Sequence, residues 1–147
     1  HYAGAFPELL ERQAQIDRFN FIPAIDLALV LLQMGRREQA ADLLDRSESF
    51  VRRISRVGSV GYGIQDARIH ALRGDKVKAL AALREAATAG WRSDWRYYRD
   101  FDRNLASIRD EPEFKAVFAD IERDMARQRA ELAKRPKNAP LERAPVH

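Results

Sequence analysis

A chain of 147 residues is one domain's worth of material, enough to bury roughly two-thirds of the surface its unfolded form would expose. Hydrophobic residues make up 46% and charged ones 33%, and no run approaches the roughly 18 consecutive apolar residues of a membrane-spanning helix, so a span is excluded. The +4 formal charge comes from 26 basic residues, 21 of them arginine, dispersed among 22 acids. That is not the clustered footprint of a nucleic-acid binder.

With no cysteine there is no disulfide framework, thiolate metal site or cysteine nucleophile. A cytoplasmic setting is expected, though a cysteine-free chain suits the periplasm equally.

Residues 1–20 read as the end of an incomplete helical unit, with Tyr2, Phe6, Leu9 and Leu10 at helical spacing. This apolar face predicts a chain that continues upstream of His1, or a homodimer through the N-terminal helix. Asn20 to Pro23 then signals a helix start, a side-chain acceptor followed by a proline tolerated in the first turn. The helix to about Met34 is apolar nearly all round (Ile25, Leu27, Ala28, Leu29, Val30, Leu31, Leu32), which predicts burial between neighbours. Its partner, Arg36 to about Ile54, carries one apolar stripe of Ala40, Leu43, Leu44, Ser47, Phe50, Val51 and Ile54.

The pattern Ala28, Gly35, Ala40, Leu44 recurs 39 residues downstream as Ala67, Gly74, Ala79, Leu83. Antiparallel helices joined by a short turn pack closely only where facing residues are small, as Ala28 with Ala40 and Ala67 with Ala79. The glycines can take the left-handed conformation that ends a helix, and the leucines lie one turn beyond the alanines on the same face. The spacing predicts one helix-turn-helix unit used twice, over about 21–56 and 60–90.

Between the units, Val57 to Gly63 holds Gly58, Gly61 and Gly63. A phosphate-binding loop would need a preceding strand or a Gly-Lys-Ser/Thr sequence, and neither is present, so the stretch reads as a connector. After Gly90 come Trp91, Trp95, Tyr97, Tyr98 and Phe101, interleaved with Arg92, Arg96, Arg99 and Arg103. One reading is a plug over the open end of the stack, its arginines paired with Asp94, Asp100 and Asp102. The other is a base-stacking, phosphate-gripping patch of Trp91, Trp95, Arg96, Tyr98 and Arg99. The acids favour the plug. Asn104 to Ile108 predicts a short helical turn, and Asp110-Glu111-Pro112 opens a long helix with the stripe Phe114, Val117, Phe118, Ile121 and Met125. Residues 135–147, rich in proline, read as a flexible tail.

The repeated framework resembles the tetratricopeptide repeat (TPR) family over residues 24–90, with a 39-residue instead of a 34-residue repeat and with Arg52 and Trp91 where the family's closing prolines stand. The segment with Leu105, Ile108, Arg109, Pro112 and Phe114 is similar to the closing segment of bacterial TPR proteins attached to transcriptional or nucleotide-cyclase signalling modules. The resemblance implies an all-α fold of antiparallel helix-turn-helix repeats, a TPR-like α-solenoid over residues 1–134 with a C-terminal capping region at 91–134. It also implies a non-catalytic scaffold that binds a protein or peptide partner.

In that family the first helix of each pair lines a concave groove, which here would present Ile25, Leu29, Ile64 and Arg68. Three aliphatics and one arginine fit an apolar segment with one acidic group, not a carboxylate clamp. Alternatively Ile25 and Leu29 are covered by the chain's own N-terminal segment or by repeats upstream of it, leaving only Arg68 exposed. Asp66 and His70 share a helix face, but His70 stands where the family places a packed side chain, so a core histidine is expected ahead of a catalytic pair. No cofactor, metal or catalytic residue is expected.

Overall fold

A computed structural model describes residues 7–11, 14–54 and 63–135, and every regular element among them is helical. The order is a 3-10 turn (Pro7–Leu10), α1 (Phe21–Gln33), α2 (Arg37–Val51), α3 (Ile64–Leu72), α4 (Lys76–Thr88), α5 (Trp95–Asp100), a second 3-10 turn (Arg103–Leu105) and α6 (Pro112–Lys134). The all-α expectation holds. The connector glycines Gly58 and Gly61, and the tail from residue 136, lie outside the described residues.

Helices α1 and α2 form one antiparallel hairpin and α3 and α4 the next. Both turns close the same way. Gly35 (φ 75°) donates its N–H to the Leu32 carbonyl (3.1 Å), and Arg36 donates to Leu31 (2.9 Å). Gly74 (φ 78°) donates to Ala71 (3.1 Å), and Asp75 to His70 (3.0 Å). This paired closure satisfies two otherwise orphaned helix-end carbonyls and needs a left-handed residue at the glycine. Gly90 (φ 91°) ends α4 by the same two bonds, to Ala87 and Ala86.

Ala28, Ala40, Ala67 and Ala79 are each 0% exposed, as a small-residue contact at each helix crossing requires. Replacing Ala40 or Ala79 by leucine is expected to cost about 1–3 kcal/mol by overpacking. Thermal melts of the two variants check this, and parent-like melting of both would break the assigned register.

The core is two apolar clusters that meet on α3. Ile69 belongs to the first, with Leu9, Ile25, Leu31, Leu43 and Leu44; Ile64, Ala67 and Ala71 belong to the second, with Leu83, Trp91, Leu105, Phe114 and Phe118. Helix α3 therefore has nearly every side chain buried, including Gln65, Asp66 and Arg68.

Four details differ from the sequence expectation. Asn20 does not cap α1 with its side chain: its Oδ1 accepts from Asp17 N–H (2.9 Å) and its Nδ2 donates to the Gln15 carbonyl (3.1 Å), bracing the loop instead. Helix α2 stops at Val51, so Ile54 lies past its end and is 36% exposed. Pro7–Leu10, in the described part of the N-terminal segment, is a 3-10 turn, not an α-helix. Its apolar face is also not free, because Leu9 is 1% exposed within the first cluster.

The Arg46 guanidinium straps that N-terminal segment to α2, donating to the Leu9 and Ala14 carbonyls (3.0 and 2.8 Å) while bonding Asp42. Leu10 is partly buried beside it, and Tyr2 and Phe6 lie outside the described residues. The surface from which a homodimer was expected is thus covered, in its described part, by the chain's own hairpin.

Between the hairpins, Arg73 reaches back from the end of α3 to Glu48 (2.6 Å) and Asp45 (2.5 Å) on α2. Burial alone would raise the Glu48 carboxyl, but the guanidinium groups of Arg73 and Arg52 outweigh it and hold the pKa below the ordinary value. A carboxyl with a lowered native pKa adds stability above its unfolded pKa and loses it as pH falls through the native one. Stability is expected to fall on acidification through and below the normal carboxylate range. The Glu48→Gln variant should show a shallower fall in chemical-denaturation midpoints across that window.

Candidate functional site

The four positions expected to line a partner groove do not form an open surface. Ile25 and Ile64 are 0% and 1% exposed, Leu29 is half-buried, and Arg68 is 2% exposed. Ile25 lies in one cluster with Leu9 and Ile16 of the N-terminal segment, and Ile64 in the other with Leu105 and Ile108 of the C-terminal segment. The second 3-10 turn packs on α3, Leu105 and Ile108 are fully buried, and Ser107 Oγ donates to the Ala71 carbonyl (3.1 Å).

Arg68 sits at the centre of a polar cluster drawn from both hairpins and this segment. Its NH1 donates to Gln65 Oε1 (2.7 Å), its NH2 is bonded to Asp26 on α1, and its Nε lies 2.9 Å from Asp102 Oδ2. The last is an ion contact without a well-directed hydrogen bond, since neither atom meets the angular requirement for one. Two carboxylates thus face one guanidinium. A second donor relieves the imbalance: Asn104 Nδ2 gives one N–H to Asp26 Oδ1 and one to Asp102 Oδ1, both at 2.8 Å.

Asp102 Oδ1 also accepts from Asn104 N–H (3.0 Å), capping the 3-10 turn, and its backbone carbonyl accepts from Arg109 (2.6 Å). The Tyr98 ring lies 5.9 Å from the Arg68 guanidinium carbon, and burial pushes its phenol pKa up against the opposing effect of Arg68.

This arrangement ties three segments together and leaves the guanidinium no free fork for an external carboxylate. The expectation that Arg68 would fix a partner's acid is corrected by the structure, as is the alternative that it alone stays exposed. The acid it holds is internal. The sequence reading missed Asp26, Asp102, Asn104 and Gln65 as its partners. One signal was available, because Asp26 is the lone charge in an otherwise apolar α1, and a charge there must find a buried counter-charge.

Of the alternative patch, Trp91 and Trp95 are 1% and 4% exposed and cannot stack a base. Trp91 meets Tyr98 and Phe118 edge-on (centroids 5.2 and 6.3 Å), while Arg96 and Arg99 lie over the Trp95 ring at 4.7 and 4.9 Å. The segment packs as a plug, with acid pairing that differs in part from the expectation. Asp100 is held by Arg99 (2.7 and 3.0 Å), Asp102 by Arg68 from α3, and Arg92 bonds Asp124 on α6 (3.0 Å).

His70 is not a core residue either. It is half-buried at a hollow of about 270 Å³ shared with Glu48, Arg52, Asp66, Lys78 and Glu85. Among the described residues no group of three His, Asp or Glu side chains is placed to hold a metal ion, and no helix is long and apolar enough to cross a membrane. No family model, curated protein or solved structure matches the chain.

Proposed function

We propose that the chain is a non-catalytic protein-interaction scaffold built on TPR-like helical hairpins, part of a larger bacterial regulatory or signalling protein. The observation that carries this reading is the repeated hairpin. The same small-residue contact and the same two-bond glycine closure occur at Gly35 and at Gly74, 39 residues apart, and such units stack to present helix faces to partners. The polar chemistry of the interior supports it too, since Arg68, Asp26, Asp102 and Asn104 each hold another part of the fold.

The test is affinity capture with the immobilised chain, followed by cross-linking that maps the contact onto it. A protein partner retained at about 0.5 M salt supports the scaffold reading, because exposed charge contacts alone are heavily screened there. Steeply salt-dependent capture of generic DNA or RNA in place of a protein would overturn it.

A further inference from the structure

The structure redistributes charge in the aromatic segment. Asp102 is neutralised inside the molecule by Arg68 and Asp100 at the surface by Arg99, whereas Arg96 and Arg103 have no carboxylate within ion-pair distance among the described residues. Exposed Asp94, to which Ser93 donates, is the surface acid of the segment that no arginine holds in an ion pair among the described residues. Between these arginines in the chain, Tyr97 and Phe101 stand one helical turn apart, with Phe101 N–H donating to the Tyr97 carbonyl (2.8 Å). They are 51% and 69% exposed. Two large aromatics one turn apart offer anchor area at low entropic cost, and unpaired guanidinium groups beside them select a negative partner.

We propose that Tyr97 and Phe101, flanked by Arg96 and Arg103, form a docking face for an acidic amphipathic helix of a partner protein. The proposal rests on the scaffold reading and names the face that reading leaves open once the groove positions are filled by the chain itself. A helix is the occupant that fits. The two exposed rings are spaced by one turn, so they can lie between residues spaced i, i+3 and i+4 on a facing helix. Arg96 and Arg103 then reach carboxylates along the sides of the same helix. A single-stranded nucleic acid fits less well, because both tryptophans are buried and Asp94 interrupts the short cationic track.

The test titrates the full chain with a fluorescent helix-forming peptide of about 15 residues carrying leucine and glutamate on one face, and with its lysine-for-glutamate counterpart. Binding of the acidic peptide only is expected, weakened at least about tenfold by Tyr97→Ala/Phe101→Ala and, separately, by Arg96→Glu/Arg103→Glu. All four side chains are at the surface or its edge, and unchanged circular dichroism and melting establish that the variants stay folded. No binding of the acidic peptide at about millimolar concentration would overturn the proposal. So would equal binding of the lysine peptide, unchanged binding by both folded variants, or tighter binding of a single-stranded polynucleotide. A captured protein whose cross-links map instead to the hollow on α4 lined by Val77, Leu80, Arg84 and Ala89 would refute this face while leaving the scaffold reading standing. Absence of any captured protein would instead refute the scaffold reading.

Discussion

Replacing Arg68 by alanine is expected to destabilise the protein by about 3–5 kcal/mol, the range for removing one partner of a buried ion pair. The Arg68 and Asp102 side chains are 3% and 1% exposed, so solvent cannot reach in to replace the lost cation. Without the guanidinium, Asp26 and Asp102 would keep only neutral donors from Asn104, its Nδ2 for both and its backbone N–H for Asp102, against an uncompensated buried charge. Asp102 is the less accommodating of the two, since Asp26 has 21% of its side chain in solvent. Urea denaturation of Arg68→Ala against the parent gives the number directly. A loss under about 1 kcal/mol would mean that the site relaxes or admits water, contrary to its described packing.

The second large effect is expected at Gly63, the residue that admits the chain into α3. Its φ is +59°, and a Cβ there would stand 2.9 Å from the Ala82 carbonyl oxygen and 2.9 Å from Ala86 Cβ, both on α4. The left-handed conformation alone costs a non-glycine residue about 1–2 kcal/mol, and forcing two backbones apart adds about 1–3. Gly63→Ala should therefore lose roughly 2–5 kcal/mol in all. Gly35, Gly74 and Gly90 provide the control: all have positive φ, yet an added Cβ meets nothing within 4 Å at any of them. Alanine at those three positions should show only the conformational cost. Thermal melts of the four alanine variants separate close approach from backbone conformation, and four equal losses would remove the close-approach argument.

The helices were legible because their signals are local. The framework alanines and Gly35 and Gly74 recur at fixed spacing, and the buried residues of α2 and α6 follow the predicted stripes. The acid-rich opening of α6 held as well, with Pro112 in its first turn after Glu111. What the sequence could not show was which surfaces remain after the chain folds back on itself. Arg68 looks identical in sequence whether it faces solvent or Asp102, 34 positions later in the chain, and only the path of residues 101–108 across α3 decides between the two.

The same holds at Leu9, whose apolar spacing reads as an open face until Arg46 is seen to bond its carbonyl and that of Ala14. In the aromatic segment, spacing placed the rings correctly on a plug but could not assign the acids. Asp102 found its cation, Arg68, on another helix instead of among the arginines of its own segment.

The C-terminal segment closes over α3 through Arg68 and Asp102, and the expected groove position Arg68 is thereby interior. A double-mutant cycle tests it most directly, with Arg68→Met, Asp102→Asn and the two combined, each measured by urea denaturation. Asparagine keeps an acceptor for the Asn104 N–H cap while removing the charge, so the cycle isolates the ion contact from the cap. A coupling of about 2 kcal/mol or more is expected, with the double variant losing clearly less than the sum of the singles. Additive losses, within about 0.5 kcal/mol, would place Arg68 and Asp102 apart in solution and reopen the groove as a partner site.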